Sequence, residues 1–233
     1  MTPPRIHRVE TLELTVAPFA WPFAQARADE IAAHFAEKQR EKPKLWNGRI
    51  LLGRAPSFDG THFSAIYFES GFADLLAWRD WGFPDREVFN GFGMGALRSS
   101  DGAFVLGEMA AHTANAGRIY FPAGTPDLDD ITGDRLDIAG SVAREIEEET
   151  GLAPADYHAA PHWDCVVSGA AIAMMRTLEI DLPGEELRAR IEANLARQEH
   201  PELSRVHLVR SRDDFKSTMP LFVTAFLEMQ FDR

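Results

Sequence analysis

The chain has a single cysteine, Cys165, so no disulfide can close within it. That suits a reducing compartment, and a cytoplasmic location is the expectation. A lone thiol beside an apolar run reads as a small buried hydrophobe rather than a nucleophile. Basic residues are also short: 24 Lys and Arg stand against 36 Asp and Glu, a net charge of −12. This argues against a nucleic-acid partner, because binding to a phosphate backbone depends on Lys and Arg. It leaves room for a small phosphate compound, since a bound cation inverts the local sign. No apolar run approaches the roughly 18 residues of a membrane span, and Met1–Glu10 lacks the apolar core of a secretory signal. No membrane partner is expected. Internal repeats and Gly-, Ser- or Pro-rich linkers are missing too, so one structural unit is expected.

What is present is ordinary globular material, 45% hydrophobic. Val9–Val16 alternates as a strand, and Pro18 and Pro22 then break regular structure. Trp21 and Phe23 read as core plugs. Arg27–Glu41 has the apolar stripe of an amphipathic helix ended by Pro43. Strands are expected over Arg49–Arg54 and Thr61–Glu69, joined by a turn over Pro56–Gly60, and a helix over Phe72–Trp81. Residues 1–88 therefore form an N-terminal α+β extension packed on a core domain of 89–233. In the core, Asn90–Leu97 and Ala103–Met109 read as paired strands. Arg118–Phe121 is a short strand, and Cys165–Asp181 one long buried strand kinked at Gly169. Gly184–Arg197 reads as a helix, Val206–Arg210 as a strand and Phe215–Met229 as a C-terminal helix. His112 reads as a solvated loop residue, with a substrate-facing role as the lesser reading.

The informative stretch is Arg144-Glu145-Ile146-Glu147-Glu148-Glu149-Thr150-Gly151-Leu152. On a helix, Glu145, Glu148 and Glu149 share one face at i, i+3 and i+4, where like charges repel by a few tenths of a kcal/mol per exposed pair, on the order of 0.2–0.5. A divalent cation would offset that, and carboxylate oxygens suit magnesium or manganese. Gly151 can take the left-handed conformation that stops a helix. Taken alone, such an acidic run is most often a solvated helix face. The wider pattern resembles the Nudix box, whose second half reads Arg-Glu-U-x-Glu-Glu-x-Gly-U, with U a bulky aliphatic. Every fixed position of that half is met here. Upstream, Tyr120-Phe121-Pro122-Ala123-Gly124-Thr125 resembles the strand end and Gly loop that open the box.

The first half departs from the pattern. Counting back from Arg144 puts Leu136 where the family has Glu and Asp130 where it has Gly. Gly124 is six residues earlier than that expected Gly, which implies an insertion within Asp127–Asp134. Asp137 is either the stand-in for the missing Glu, which in the family pairs with the box Arg, or the N-cap of the following helix.

The resemblance implies an α/β/α sandwich with a mixed sheet, and magnesium- or manganese-dependent hydrolysis of a nucleoside diphosphate linked to another group. It casts Glu148 and Glu149 as main metal ligands, Glu145 as a further ligand or the base, Arg144 as an orienting group and the Ala123 carbonyl as an additional ligand. Gly124 and Gly151 are structural, and Glu147 faces solvent. Members often recruit one more acid from a distal loop, here Glu202 ahead of Glu199. Lys42-Pro-Lys-Leu-Trp-Asn-Gly48 looks like a segment of the branch that splits UDP-sugars, so a nucleoside-diphosphate sugar is the leading substrate. Trp46 there reads as a core residue first and a stacking platform second. No further substrate-binding residue is assigned. A homodimer is possible. The alternatives are a catalytically inactive Nudix-fold nucleotide sensor or scaffold, and an unrelated acidic helix in a structural protein.

Overall fold

The computed structural model describes residues 3–43 and 45–232. Met1, Thr2, Arg233 and Lys44, the last within the stretch resembling the UDP-sugar branch, lie outside them. The N-terminal part runs β1 (Arg5–Val9), β2 (Thr11–Val16), α1 (Pro22–Ala26), α2 (Ala28–Glu41), β3 (Arg49–Asp59), β4 (His62–Gly71) and α3 (Phe72–Asp80). Then follow β5 (Val88–Ser99), β6 (Phe104–Met109), β7 (Ile119–Tyr120), β8 (Ile131–Thr132), β9 (Arg135–Leu136) and α4 (Ile138–Thr150). The chain closes with β10 (His158–Ala159), β11 (Trp163–Ser168), β12 (Ala171–Ile180), α5 (Gly184–Leu195), β13 (Leu203–Val209) and α6 (Leu221–Phe231).

Strand β5 is the centre of the sheet. It runs parallel to β12 along its length, from Asn90 beside Ala171 to Ser99 beside Ile180. It turns back antiparallel into β6, and its first residues, Val88 and Phe89, pair with Arg54 and Gly53 of β3. Side chains alternate across a strand, and β5 uses this sharply. Gly93 and Gly95 face α4: a Cβ at Gly93 would lie 2.5 Å from Val142, and one at Gly95 2.6 Å from Ile146. On the other face Phe92 meets Phe222 of α6, ring centroids 5.6 Å apart. Helices therefore cover both faces of a mixed sheet, the expected α/β/α sandwich. Ile138, Val142 and Ile146 form the buried stripe of α4 at four-residue spacing.

The N-terminal segment is woven into this sheet. β1 pairs with β11 on one side, while β3, β4 and β2 extend from β5 on the other. Helices α1–α3 cover the latter strands around Trp21, Phe68, Trp78, Ile31 and Phe35.

Several elements differ from the sequence reading. Val9–Val16 is two strands broken at Glu10. Pro22 opens α1 instead of breaking structure, because the first helical turn needs no N–H from it. Strand β3 runs through Pro56 to Asp59, since a register shift after Arg54 takes the proline out of the ladder; the turn is at Gly60, φ 56°. The apolar run at 165–181 is a hairpin, with Gly169 at φ 61° as its turn. Both its strands are buried in one sheet, so no polar break marks the turn. Helix α6 starts six residues later than expected, after Pro220. Trp46 is no core residue: it is 57% exposed, its ring 5.9 Å from Phe72. Among the described residues no helix is long and apolar enough to cross a membrane.

Candidate active site

Helix α4 is fixed at both ends. Asp137 caps its start, Oδ1 accepting from the Gly140 N–H at 2.9 Å. Gly151, at φ 73°, ends it with its N–H on the Glu147 carbonyl. The group opposite Arg144 is therefore not Asp137 but Asp130, whose Oδ1 accepts from Arg144 at 2.7 Å. Asp130 is buried, and Oδ2 also accepts from Ser141 and the Asp127 N–H. The inserted segment folds as a short 3-10 turn at Leu128–Asp130 and a hairpin of β8 and β9, with Gly133 at φ 67°. Leu136, where the family pattern has Glu, is buried among hydrophobic residues.

The three glutamates do not share one exposure. Glu149 is 4% exposed, and both its carboxylate oxygens are buried without a hydrogen-bond partner. Its pKa stands well above the ordinary carboxylate value, first because of burial and then because of the charges of Glu145 and Glu202. The Ala123 amide pulls the other way without reaching hydrogen-bond geometry. Glu145 is pushed up to about 7 by burial and then by Glu148, with Arg144 opposing. Glu145 is also pressed onto the loop before the helix: a Cβ at Gly124 would stand 2.0 Å from its Oε1. Glu148 is largely exposed and lies 3.9 Å from Arg144. Glu147 is exposed, as expected.

The distal acids separate. Glu202 sits just before β13, its backbone carbonyl accepting from the Ala110 N–H at 2.7 Å, and its charge acts on Glu145 and Glu149. Glu199, its side chain 92% exposed, is not among the main charges that act on Glu145 and Glu149.

Among the described residues no group of three or more Asp, Glu, His or Cys is already set as a metal cage. The donor set nevertheless fits a hard divalent cation. Glu149 offers two orphaned oxygens, Glu145 lies beside it, and the cation acting on Glu145, Arg144, is held by Asp130. Acids gathered out of water without partners are what a bound cation relieves.

Ala123 and Gly124 also line a cavity of about 320 Å³. Phe72, Leu75, Phe92 and Phe222 line it, with Asn90 and Arg118 among its polar groups. His112 is exposed and takes no part in its wall. Asp130, Asn90 and Arg118 are the residues the sequence reading missed. Asp130 could be suspected only from being acidic within an insertion, and nothing in the order of residues marks the other two.

No protein-family model matches the sequence, and no curated protein does. Solved structures give resemblances. One is a Nudix hydrolase from M. smegmatis, 12% identical, TM-score 0.38, aligned over 61% of this chain and 84% of that one. Another is the MutT protein from Methanosarcina mazei Go1, 19% identical, TM-score 0.38, over 62% and 94%. A third is a bifunctional NMN adenylyltransferase/ADP ribose pyrophosphatase from Francisella tularensis complexed with AMP and a manganese ion, 12% identical, TM-score 0.40. It aligns over 68% of this chain and 45% of its own. Identity and overlay are both low, and the functional reading rests on the residues of the site.

Proposed function

We propose that this protein is a metal-dependent hydrolase of Nudix type, cleaving a pyrophosphate bond in a nucleoside diphosphate linked to another group. A nucleoside-diphosphate sugar is the leading substrate. The observation that carries the reading is the burial of Glu149, both oxygens unpartnered, beside Glu145 and the Ala123–Gly124 loop. It occurs within a stretch that matches the second half of the Nudix box residue for residue.

Glu149 and Glu148 would hold magnesium or manganese, with Glu145, Glu202 and the Ala123 carbonyl as further oxygen donors. A bound divalent cation supplies positive charge for the pyrophosphate oxygens and for the attacking water. The chain's own groups do the rest. Arg144, anchored on Asp130, lies 3.9 Å from both Glu145 and Glu148 and steadies their carboxylates. Glu145, beside the Ala123–Gly124 loop, is placed to take a proton from water at its carboxylate. The cavity beside Gly124 receives the remainder of the substrate.

The test is turnover of UDP-glucose, ADP-ribose, NADH, dinucleoside polyphosphates and nucleoside triphosphates with magnesium or manganese, with and without chelator. Chelator-sensitive cleavage of one class, abolished in a folded Glu148→Gln protein, is expected. Normal turnover by Glu148→Gln would overturn the site assignment. The binding-only alternative is motivated by the altered first half of the box, where Leu136 and Asp130 stand in place of Glu and Gly. It requires that nucleotides bind and that none is consumed.

A further inference from the structure

The cavity beside Gly124 differs in chemistry from the acids of the site. Phe72, Leu75 and Leu76 come from α3, Phe92 and Met94 from β5, and Phe222 from α6. Such walls suit a flat heterocycle, which can stack on aromatic faces. They suit a sugar poorly, because its hydroxyls would leave water without gaining partners.

One polar atom stands out among these walls. Asn90 Oδ1 is buried and has no hydrogen-bond partner. Its backbone is pinned in the sheet, the N–H donating to the Ala170 carbonyl at 2.8 Å, so the side chain is presented from a rigid strand. A carboxamide offers an acceptor and a donor side by side, the pattern by which base edges are read. Two guanidinium groups also line the cavity. Arg79 is shared between Asp80, 3.1 Å away, and Asn115, 3.5 Å away, and Arg118 forms no ion pair among the described residues. Arg118 is therefore the cation fitted to an anionic group next to the base.

We propose that this cavity holds the base of the nucleotide, read by Asn90, and that α3 of the N-terminal segment is its selectivity wall. The protein then discriminates by base and tolerates change in the group beyond the scissile bond, which lies toward the exposed side of Glu148. This deepens the hydrolase reading and rests on it for the position of the scissile bond.

The experiment is calorimetric titration of the full chain with AMP, UMP, GMP and ribose 5-phosphate. Wild type, Asn90→Leu and Phe72→Ala are compared, with folding checked by circular dichroism. One or two monophosphates should bind at least about ten-fold more tightly than ribose 5-phosphate. Asn90→Leu should level the preference among bases, and Phe72→Ala should weaken all monophosphates. If Phe72→Ala fails to fold, Phe222→Ala replaces it. Equal affinity for ribose 5-phosphate and every monophosphate would overturn the proposal. So would absence of binding, or wild-type selectivity in folded Asn90→Leu. None of these ligands has a pyrophosphate bond. Hydrolysis without base preference would thus remove the base site and leave the hydrolase, and base-selective binding without hydrolysis would do the reverse.

Discussion

Asp130 and Arg144, fourteen positions apart, meet through a 2.7 Å hydrogen bond whose acid is buried and whose guanidinium is partly exposed. The bond ties the inserted segment to the middle of α4. Asp130→Asn keeps the shape and removes the charge. A charged hydrogen bond is worth about 1.5–3 kcal/mol, and partial exposure of Arg144 places this one at the low end. We expect a loss of about 1–2 kcal/mol in urea denaturation, with a larger proportional loss of turnover because Arg144 is freed to move. An unchanged midpoint would show that the pair is idle.

Gly124→Ala is the most local probe of the site. The added methyl would occupy the place of the Glu145 carboxylate, and a shift of roughly 1 Å in a catalytic group can cost about 100-fold. Turnover should fall by about that factor while the melting temperature moves little. Wild-type turnover would mean that Glu145 does not act from this position.

Burial of Glu149 predicts opposite effects with and without metal. Glu149→Gln removes a buried unpartnered acid, so the metal-free variant should melt higher than wild type at pH 8. Saturating manganese stabilises a site-specific binder by about 2.7 kcal/mol at 100 times Kd. Wild type should gain on that scale, and the variant should gain little. Equal gains in thermal melting would place the metal elsewhere.

The Glu145 carboxyl sets a pH window. Its folded value is raised from the ordinary 4.5 to about 7, so the folded state holds the proton more tightly than the unfolded state. The stabilisation is complete below about 4.5 and is lost as pH rises through about 7. Metal-free protein should therefore weaken between those values in chemical denaturation, more so because Glu149 shifts the same way. Added magnesium should flatten the decline. A metal-free profile that rises over this range would contradict the burial of these acids.

Cys165 is fully buried, and burial pushes its thiol up to about 12. Native protein should resist alkylation at pH 8, and urea-unfolded protein should react at once. Mass spectrometry after iodoacetamide decides it.

The residues of α4 were legible because cap, acids, aliphatic stripe and Gly151 stop all lie within one local pattern. The alternating strand over Asn90–Leu97 was legible for the same reason. What escaped was set at long range. Asp130 meets Arg144 only because β8 and β9 fold back, and Asp137 could be assigned to its capping role only once that contact was known. The hairpin at Gly169 was hidden because two buried strands look like one apolar run. Glu202 was placed ahead of Glu199 by its position next to the strand, but only the fold shows that its charge reaches Glu145 and Glu149.

The glycines of β5 have one more consequence. Helix α4 rests its Ile138, Val142 and Ile146 side chains directly on strand backbone at Gly93 and Gly95, and the Gly95 N–H donates to the Pro122 carbonyl at 3.2 Å, holding the loop that continues to Ala123 and Gly124. Helix and loop are thus gauged from the same three residues of backbone. A side chain added at Gly93, Gly95 or Gly124 would therefore disturb the site from a position that carries no chemistry of its own.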